Sequence, residues 1–317
     1  MNNENRLENK EVKMNNAGAE TKICVVDLGN YGVKAINQEG NKISFQSNIS
    51  RDVESYPDAF QYTLMDGEYT FFEKGVFSKE YIKTSKEYIS QLLYSISRLY
   101  ENEDMLEINL TLLLPISEMS YKDKYINDLK GKEFTFTART SRVQEKMVKI
   151  CDVIVIPEGY ASYFTLDDTT KDGSVMIADL GGRTCNVSTF YAGKPKVLNT
   201  YRIGILNFYS KLQKLNEDKE YSLEDIEKAI KKTDIRVTKK QLATFMQDIL
   251  NEIKINVNIN HFDNVIWVGG GSKVLEEIIN EVLPKNCILH ENALYSNIEG
   301  AMEFSKLAFN KVEKVGA

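Results

Sequence analysis

The sequence predicts an α/β protein built from two similarly organised halves. With 317 residues, the chain is about twice as long as a usual domain. Short apolar runs typical of buried strands alternate with longer stretches typical of helices, which is the pattern of an α/β fold. The tripeptide Asp-Leu-Gly also ends an apolar run twice, at Asp27 and at Asp179, and these residues lie 152 positions apart.

The individual elements follow from hydrophobic periodicity and from turn-forming residues. Short runs of mainly branched apolar residues predict strands at Ile23–Asp27, Ile108–Pro115, Val153–Pro157, Val175–Asp179 and Val265–Val268. Longer stretches predict helices at Ser85–Tyr100, Ser141–Lys149, Ile203–Leu215, Leu223–Lys231 and Lys239–Ile255. The dipeptide Asp66-Gly67 separates two alternating apolar segments and predicts a β-hairpin, because both central residues of a type I′ turn have positive φ. The polar sequence DDTTKDG, residues 167–173, predicts a boundary between the two halves.

Composition and charge exclude several classes of function. The net charge of −6 disfavours wrapping of DNA or coating of an anionic membrane, since both require clustered cations. The basic cluster at residues 228–240 is interpreted as a solvated helix surface, with an interaction surface as the alternative. Four scattered cysteines and two histidines provide neither a disulfide or zinc site nor a Ser-His-Asp triad. The first 20 residues are polar and no apolar run reaches 18 residues, so we expect a cytoplasmic protein without a membrane span.

The repeated Asp-Leu-Gly motif predicts a phosphate site. An Asp at a strand end, followed by a glycine-containing hairpin, places backbone N–H groups around a concavity that can hold phosphate oxygens. The carboxylates of Asp27 and Asp179 can then reach a hydrated Mg²⁺. One such motif alone is more often an ordinary β-turn. Two facing hairpins, however, would clamp a single polyphosphate.

Three further features extend this prediction, and each has a simpler alternative. Lys34, seven residues after Asp27, can return toward the phosphates on the hairpin, or it can be a solvated strand lysine. The three glycines of VIWVGGGSKVLEEII allow a purine or its sugar to approach bare backbone, or they permit close packing of helix and strand. Glu158 follows a buried strand at the edge where α/β sheets bind ligands, and it can hold an attacking water or cap a helix.

Five segments occur in an order that is typical of one ATPase superfamily. They resemble the phosphate-1, connect-1, phosphate-2, adenosine and connect-2 segments of the actin/Hsp70/sugar-kinase superfamily. In that order, the five segments are DLGNYGVK, IPEG, DLGGRTCN, VGGGSK and NALYSNIEG. Within this superfamily, residues 21 to about 310 look most like the bacterial actin-like proteins of plasmid segregation, the ParM and Alp group. The resemblance implies a two-lobed actin-like ATPase fold, in which duplicated RNase H-like domains enclose a nucleotide cleft.

The resemblance also implies how the chain divides. Residues 1–20 form a polar N-terminal tail, and residues 21–170 form lobe I with a small β-containing subdomain at about residues 40–85. Residues 171–295 form lobe II, and residues 296–317 form a C-terminal helix that returns to lobe I.

Carried over residue by residue, the resemblance assigns a site. Glu158 takes the hydrolytic position, and Asp27 and Asp179 complete the catalytic set and hold Mg²⁺ through water. The implied nucleotide-binding residues are Gly29, Asn30, Tyr31, Gly32, Lys34, Gly181, Gly182, Arg183, Thr184, Gly204, Gly269, Gly270, Gly271 and Ser272. Two positions depart from the pattern of the family. Leu114 precedes Pro115 where Gly is frequent, and Arg183 replaces the Thr that often follows the second DLGG.

The function implied by the resemblance is hydrolysis of ATP or GTP with Mg²⁺, coupled to filament dynamics. Such a homopolymer would segregate or position plasmid DNA through an adaptor protein bound to a centromere-like site, without direct contact to DNA or membrane. A monomeric metabolite kinase and a non-hydrolysing nucleotide-binding scaffold are the alternatives. Only 46 residues follow Gly271, too few for the peptide-binding domain of an Hsp70-like chaperone, and no distinct motif supplies the Asp base of a sugar kinase.

Overall fold

Two β-sheets with helices packed against them form the part of the chain that the computed structural model describes. This part comprises residues 20–55 and 60–315, with side chains up to residue 310. Apart from Glu20, the predicted N-terminal tail lies outside the described residues, as does the end of the predicted C-terminal helix. Within the described residues, no helix combines the length and the apolar character that crossing a bilayer requires.

The first sheet contains nine strands in the described residues. They are β1 (Lys22–Leu28), β2 (Gly32–Asn37), β3 (Lys42–Gln46), β4 (Ile49–Ser50), β5 (Tyr62–Met65), β6 (Glu68–Phe72), β7 (Met105–Leu114), β8 (Glu133–Arg139) and β9 (Val143–Pro157). Their order is β3-β2-β1-β7-β9-β8-β5-β6-β4, with β1, β7 and β9 parallel. The predicted hairpin is confirmed, because Asp66 and Gly67 join β5 to β6 and both have positive φ.

The second sheet repeats the arrangement of the first around the second Asp-Leu-Gly motif. Its strands are β10 (Ser174–Leu180), β11 (Cys185–Tyr191), β12 (Lys194–Tyr201), β13 (Asn264–Val268) and β14 (Cys287–Leu289). The order β12-β11-β10-β13-β14 matches β3-β2-β1-β7-β9 in the first sheet, with an antiparallel hairpin on one side of the motif strand and parallel strands on the other. The prediction of two similarly organised α/β halves is therefore confirmed.

Helices cover both sheets and complete their cores. They are α1 (Ile89–Leu99), α2 (Lys122–Leu129), α3 (Asp168–Asp172), α4 (Ile205–Leu215), α5 (Ile226–Lys231), α6 (Lys239–Lys254), α7 (Gly270–Val274), α8 (Glu276–Glu281) and α9 (Ser296–Val315). Helices α1 and α2 pack on the first sheet, and α4, α6 and α8 pack on the second. Helix α9 packs Ile298, Ala301 and Met302 against the first sheet around Val25 and Ile156.

The predicted helix at Ser141–Lys149 is wrong, since this segment is the first half of strand β9. The five predicted strands and the other four predicted helices are present with shifted bounds. Gln144 and Lys146 occupy buried positions of β9 that alternate with exposed ones, so the hydrophobic alternation typical of a strand is missing from the sequence. Pairing with both β7 and β8 overrides the helix propensity of Gln, Glu, Lys and Met in this stretch.

Candidate functional site

A cavity of about 550 Å³ lies where the two Asp-Leu-Gly hairpins face each other. The hairpins approach so closely that a Cβ atom added to Gly182 would lie 2.7 Å from the Cβ of Tyr31. The predicted site residues that line this cavity are Asp27, Gly29, Asn30, Tyr31, Gly32, Lys34, Glu158, Asp179, Gly181, Gly182, Arg183, Thr184, Gly270 and Gly271. Both hairpins therefore contribute to one cavity, as the clamp hypothesis requires.

The two hairpins place equivalent residues opposite the two aspartates. In the first sheet Asp27 pairs with Lys34, and in the second sheet Asp179 pairs with Asn186. The Nζ atom of Lys34 lies 3.5 Å from Asp27 Oδ2, so the hairpin does return this lysine to the carboxylates. Asn186 was not predicted, although its position seven residues after Asp179 repeats the spacing between Asp27 and Lys34.

Glu158 is held at the end of β9 by a fixed amide. The Nδ2 atom of Asn186 donates a hydrogen bond of 2.8 Å to Glu158 Oε2. The Oδ1 atom of Asn186 in turn accepts a bond of 2.7 Å from Thr200 Oγ1, which fixes the orientation of the amide. Glu158 precedes a turn and a 3-10 segment at Ala161–Thr165. Its carboxylate faces the cavity and does not cap the segment that follows.

Lys83 joins two of the predicted catalytic carboxylates, although no sequence motif indicated it. Its Nζ atom lies 2.6 Å from Asp27 Oδ1 and also forms an ion pair with Glu158 Oε1. The side chain is 3% exposed, and it reaches the cavity from a 3-10 turn at Lys83–Ser85. A buried ammonium is costly unless its charge is paired. Here the two carboxylates supply that pairing.

Burial and neighbouring charges set the protonation of the site. Burial raises the pKa of Glu158 to about 7, the charges of Asp27 and Asp179 act in the same direction, and Lys83 opposes them. Burial also raises the pKa of Asp179, while Lys34 and Asn297 counteract part of the shift. For Asp27, burial alone would raise the pKa, but the ammonium groups of Lys83 and Lys34 outweigh it and hold the pKa below its usual value. The site thus contains carboxylates with opposite pKa shifts.

The loop at residues 181–184, which is the predicted second phosphate loop, rests on the first turn of α4. The N–H groups of Ile205 and Leu206 donate to the carbonyl oxygens of Gly181 and Gly182, at 3.0 and 2.9 Å. A Cβ atom on Gly204 would overlap the backbone of Gly182 and would lie 2.6 Å from the nitrogen of Arg183. Only glycine allows the loop and the helix to meet this closely.

We expect Gly204→Ala to deform the second phosphate loop. The added methyl group meets backbone atoms, which cannot yield as a flexible side chain would. Nucleotide affinity measured by calorimetry should therefore fall at least about tenfold, equivalent to roughly 1.4 kcal/mol. Gly173→Ala is the control, because its Cβ would approach only the side chain of Asp263. Equal affinities for the two variants would contradict this role of Gly204.

Three predicted binding residues lie behind the cavity surface. Gly204 supports the second loop, and Gly269 has a φ of +89° with its Cα against the Asp179 carboxylate, where a Cβ would be 2.5 Å from Oδ1. Ser272 is fully buried and donates through its hydroxyl to the carbonyl of Val268 at 2.6 Å. Lys273, which was not predicted, lines the cavity beside Gly270 and Gly271. The glycine-rich segment therefore offers backbone and Lys273 to a ligand, and the Ser272 hydroxyl is already engaged.

Arg183 turns its side chain away from the phosphate loop that carries it. Its guanidinium donates to the carbonyl oxygens of Ser78 and Glu80, the latter at 2.6 Å, and lies 4.8 Å from the centre of the Tyr81 ring. The residue still lines the cavity. Its side chain nonetheless stabilises a segment of the first half of the chain instead of being available to phosphate.

The carboxylates fit a hydrated Mg²⁺ that is held jointly with phosphate. The described part of the chain contains no group of three His, Cys, Asp or Glu side chains that could bind a metal by itself. Mg²⁺ usually keeps several waters and binds one or two carboxylates plus substrate phosphates. Asp27 and Asp179 line the same cavity and supply those two carboxylates.

Part of the chain that forms this site matches a known protein family. Residues 25–160 match the family model described as the N-terminal domain of actin-like proteins. The sequence matches no curated protein.

Several solved structures have the same fold. A 15-stranded ParM filament from Clostridium botulinum superposes with a TM-score of 0.75 at 19% identity, covering 91% of this chain and 100% of that one. The actin-like protein Alp7A gives a TM-score of 0.72 at 16% identity, covering 93% and 99%. The archaeal actin homologue Ta0583 in complex with ADP gives 0.71 at 17% identity, covering 90% and 99%. The chain therefore has the two-lobed fold of the ParM and Alp structures, and its residues 25–160 match the N-terminal domain of actin-like proteins.

Proposed function

We propose that this protein is a filament-forming ATPase that segregates or positions plasmid DNA through an adaptor protein. The observation that carries the proposal is the cavity between two equivalent hairpins, in which Asp27, Glu158 and Asp179 converge with two lysines. One solved structure with the same fold contains ADP, and others are filaments. Nucleotide binding between the two halves and head-to-tail assembly are the corresponding activities of this chain, and they take place in the cytoplasm.

The residues of the cavity have different roles in hydrolysis. The backbone N–H groups of the two hairpins bind phosphate oxygens, and Lys34 adds a positive charge beside Asp27. Glu158 orients a water molecule and accepts its proton as the water oxygen bonds to the terminal phosphorus and the bond to the bridging oxygen breaks. Asp27 and Asp179 would hold Mg²⁺ through water, and the ion would supply charge neutralisation at the phosphates. The products are a nucleoside diphosphate and inorganic phosphate.

The link from nucleotide to assembly lies in the closure of the two halves. Both hairpins contact the same polyphosphate, so loss of the terminal phosphate removes contacts that favour the closed arrangement. The next subunit would bind a surface that exists only when the two halves are closed. A heterologous contact of this kind generates an open filament when its rotation does not close a ring.

An adaptor is proposed because the chain itself is poorly suited to bind DNA. Its net charge is −6, and several cations of the basic cluster at residues 228–240 are paired with acids. Lys231 pairs with Glu227, and Lys239 pairs with both Glu277 and Glu281. These ion pairs and the net negative charge disfavour binding that depends on replacing the counterions of a DNA backbone.

Filament formation should depend on nucleotide. We expect the protein at micromolar concentration to sediment and scatter light in Mg²⁺-ATP, Mg²⁺-GTP or a non-hydrolysable analogue, and to remain in the supernatant without nucleotide. Sedimentation and ninety-degree light scattering measure this directly. A protein that stays monomeric with every nucleotide and phosphorylates a small molecule would instead be a metabolite kinase. A protein that binds nucleotide without turnover or assembly would be a scaffold.

A further inference from the structure

Residues 76–83 form a strap that crosses from the first half of the chain to the second. At its start, Phe77 is 5% exposed and belongs to the hydrophobic core of the second sheet, with Tyr209 and Ile205 among its members. The N–H of Phe77 donates to Glu224 Oε1 at 2.6 Å. A residue of the first half is thus built into the core of the second.

Two further contacts hold the strap across the cleft. The ring of Tyr31, in the predicted first phosphate loop at residues 29–32, lies 5.4 Å from the ring of Phe77. Arg183, in the second phosphate loop, donates to the carbonyls of Ser78 and Glu80. The strap therefore contacts both phosphate loops before it reaches the cavity, and its course depends on the position of the second half.

The strap ends at Lys83, whose ammonium lies between two carboxylates with different predicted roles. Asp27 is expected to hold Mg²⁺, and Glu158 is expected to hold the attacking water. The Nζ atom contacts both and also lines the cavity. An ammonium has three N–H donors, and two carboxylate contacts leave one for a further acceptor. A terminal phosphoryl group attacked by water at Glu158 must lie beside this ammonium.

We propose that Lys83 is a further catalytic residue, whose ammonium binds the terminal phosphate of the nucleotide and is positioned by the strap. This inference rests on the proposed nucleotide hydrolysis. The carboxylates that line the cavity repel a triphosphate, so a cation placed between Asp27 and Glu158 offsets that repulsion where the terminal phosphate lies. In the reaction, Lys83 keeps its protons and stabilises negative charge on the transferring phosphoryl oxygens. The proton of the attacking water passes to Glu158, and the bridging oxygen leaves with the diphosphate.

This role predicts a selective effect of Lys83→Met. The variant removes the charge and keeps a side chain of similar length. The affinity for a non-hydrolysable triphosphate should fall at least about tenfold, whereas the affinity for the diphosphate should change less than about twofold, because only the triphosphate carries the terminal phosphate. Single-turnover phosphate release should fall roughly 10²- to 10³-fold. Lys83→Arg, which keeps the charge, should restore part of the triphosphate selectivity.

Lys146→Met is the matched control, because Lys146 is also a buried lysine. Its ammonium donates to the backbone carbonyls of Tyr100 and Glu103, at 2.9 and 2.7 Å, and it does not line the cavity. Loss of this ammonium should lower the melting temperature and leave the ratio of triphosphate to diphosphate affinity as in the wild type.

Each outcome decides the inference. An unchanged ratio of triphosphate to diphosphate affinity in Lys83→Met would overturn it, whether both affinities fall equally or neither falls. If Lys83→Met does not fold, Phe77→Ala tests the strap instead: Lys83 is retained, so slower phosphate release with near-normal diphosphate affinity supports the inference, and normal release contradicts it. The wild-type protein separates this question from the proposed function. Absence of nucleotide binding there refutes the hydrolase itself, whereas normal wild-type turnover with an unchanged Lys83→Met ratio refutes only the role of Lys83.

Discussion

Asp179→Ala is expected to lower the affinity for Mg²⁺-nucleotide about 10- to 100-fold while leaving the fold intact. Loss of a charge-assisted interaction with a bound cation removes roughly 1.5–3 kcal/mol. Asp179 is 3% exposed and lines the cavity, and the Gly269 backbone packs directly against its carboxylate. A side chain in this position can reach a ligand of the cavity and has little contact with bulk solvent.

The same substitution should not destabilise the protein. Burial raises the pKa of Asp179, so the folded state disfavours its charged form. The stability of the folded state therefore decreases as the pH rises from the pKa of Asp179 in the unfolded chain towards its raised pKa in the folded protein. Above the unfolded pKa this linkage therefore opposes folding, and removal of the carboxyl group should leave the melting temperature unchanged or raised.

Asp167→Ala provides the control for an aspartate that has only a structural role. Asp167 caps α3, and its Oδ1 accepts the N–H of Thr170 at 2.8 Å. Its loss should lower stability by about 1 kcal/mol and leave nucleotide affinity unchanged. Calorimetry and thermal melting of both variants separate the two roles. If Asp179→Ala binds nucleotide normally and melts earlier, Asp179 is an ordinary turn residue.

The parts of the site that the sequence predicted are those set by local motifs. Asp27 and Asp179 end strands in equivalent positions, and the hairpin that follows each is short enough to fix which residue lies opposite. Lys34 was found by this spacing, and Asn186 could have been found by applying the same spacing to the second motif. Gly182 and Gly204 were instead implied by the family resemblance, and the structure supplies the physical reason, because the close backbone contacts at both positions leave no space for a side chain.

Features that depend on distant contacts were not predictable from local patterns. Lys83 lies 56 residues from Asp27 along the chain, and nothing in the surrounding sequence marks it as buried. Its position results from the anchoring of Phe77 in the second core and from the contact of Arg183 with the strap. The strand at the start of β9 was missed for a related reason, since the carbonyls that bind the Lys146 ammonium belong to another segment.

Glu158→Gln is expected to separate hydrolysis from nucleotide binding and from assembly. Burial raises the pKa of Glu158 to about 7, which suits a general base that works near neutral pH. The amide variant keeps the shape of the side chain and an oxygen that can accept from Asn186, but it cannot take up a proton. Phosphate release should therefore fall roughly 10²- to 10⁴-fold with little change in triphosphate affinity.

The control for this variant is Glu118→Gln, the other described glutamate that is buried near the cleft. Glu118 Oε2 accepts the backbone N–H of Lys83 at 2.8 Å, and its carboxylate does not line the cavity. The amide oxygen of the variant can accept the same hydrogen bond, which is worth about 1 kcal/mol or less. Because this bond is kept, we expect phosphate release to stay within about twofold of the wild-type rate. A comparable loss in both variants would indicate a general effect of removing buried charge.

Filament lifetime then reports whether hydrolysis drives disassembly. If the triphosphate state favours the closed subunit and its loss releases the contact, Glu158→Gln filaments should form at the wild-type rate and persist long after wild-type filaments have disassembled. Phosphate release recorded alongside the decay of light scattering tests this coupling in one experiment. Slow phosphate release with a normal decay of light scattering would support Glu158 as the base and would show that hydrolysis does not drive disassembly. Normal phosphate release by a folded variant would instead remove Glu158 from the catalytic residues.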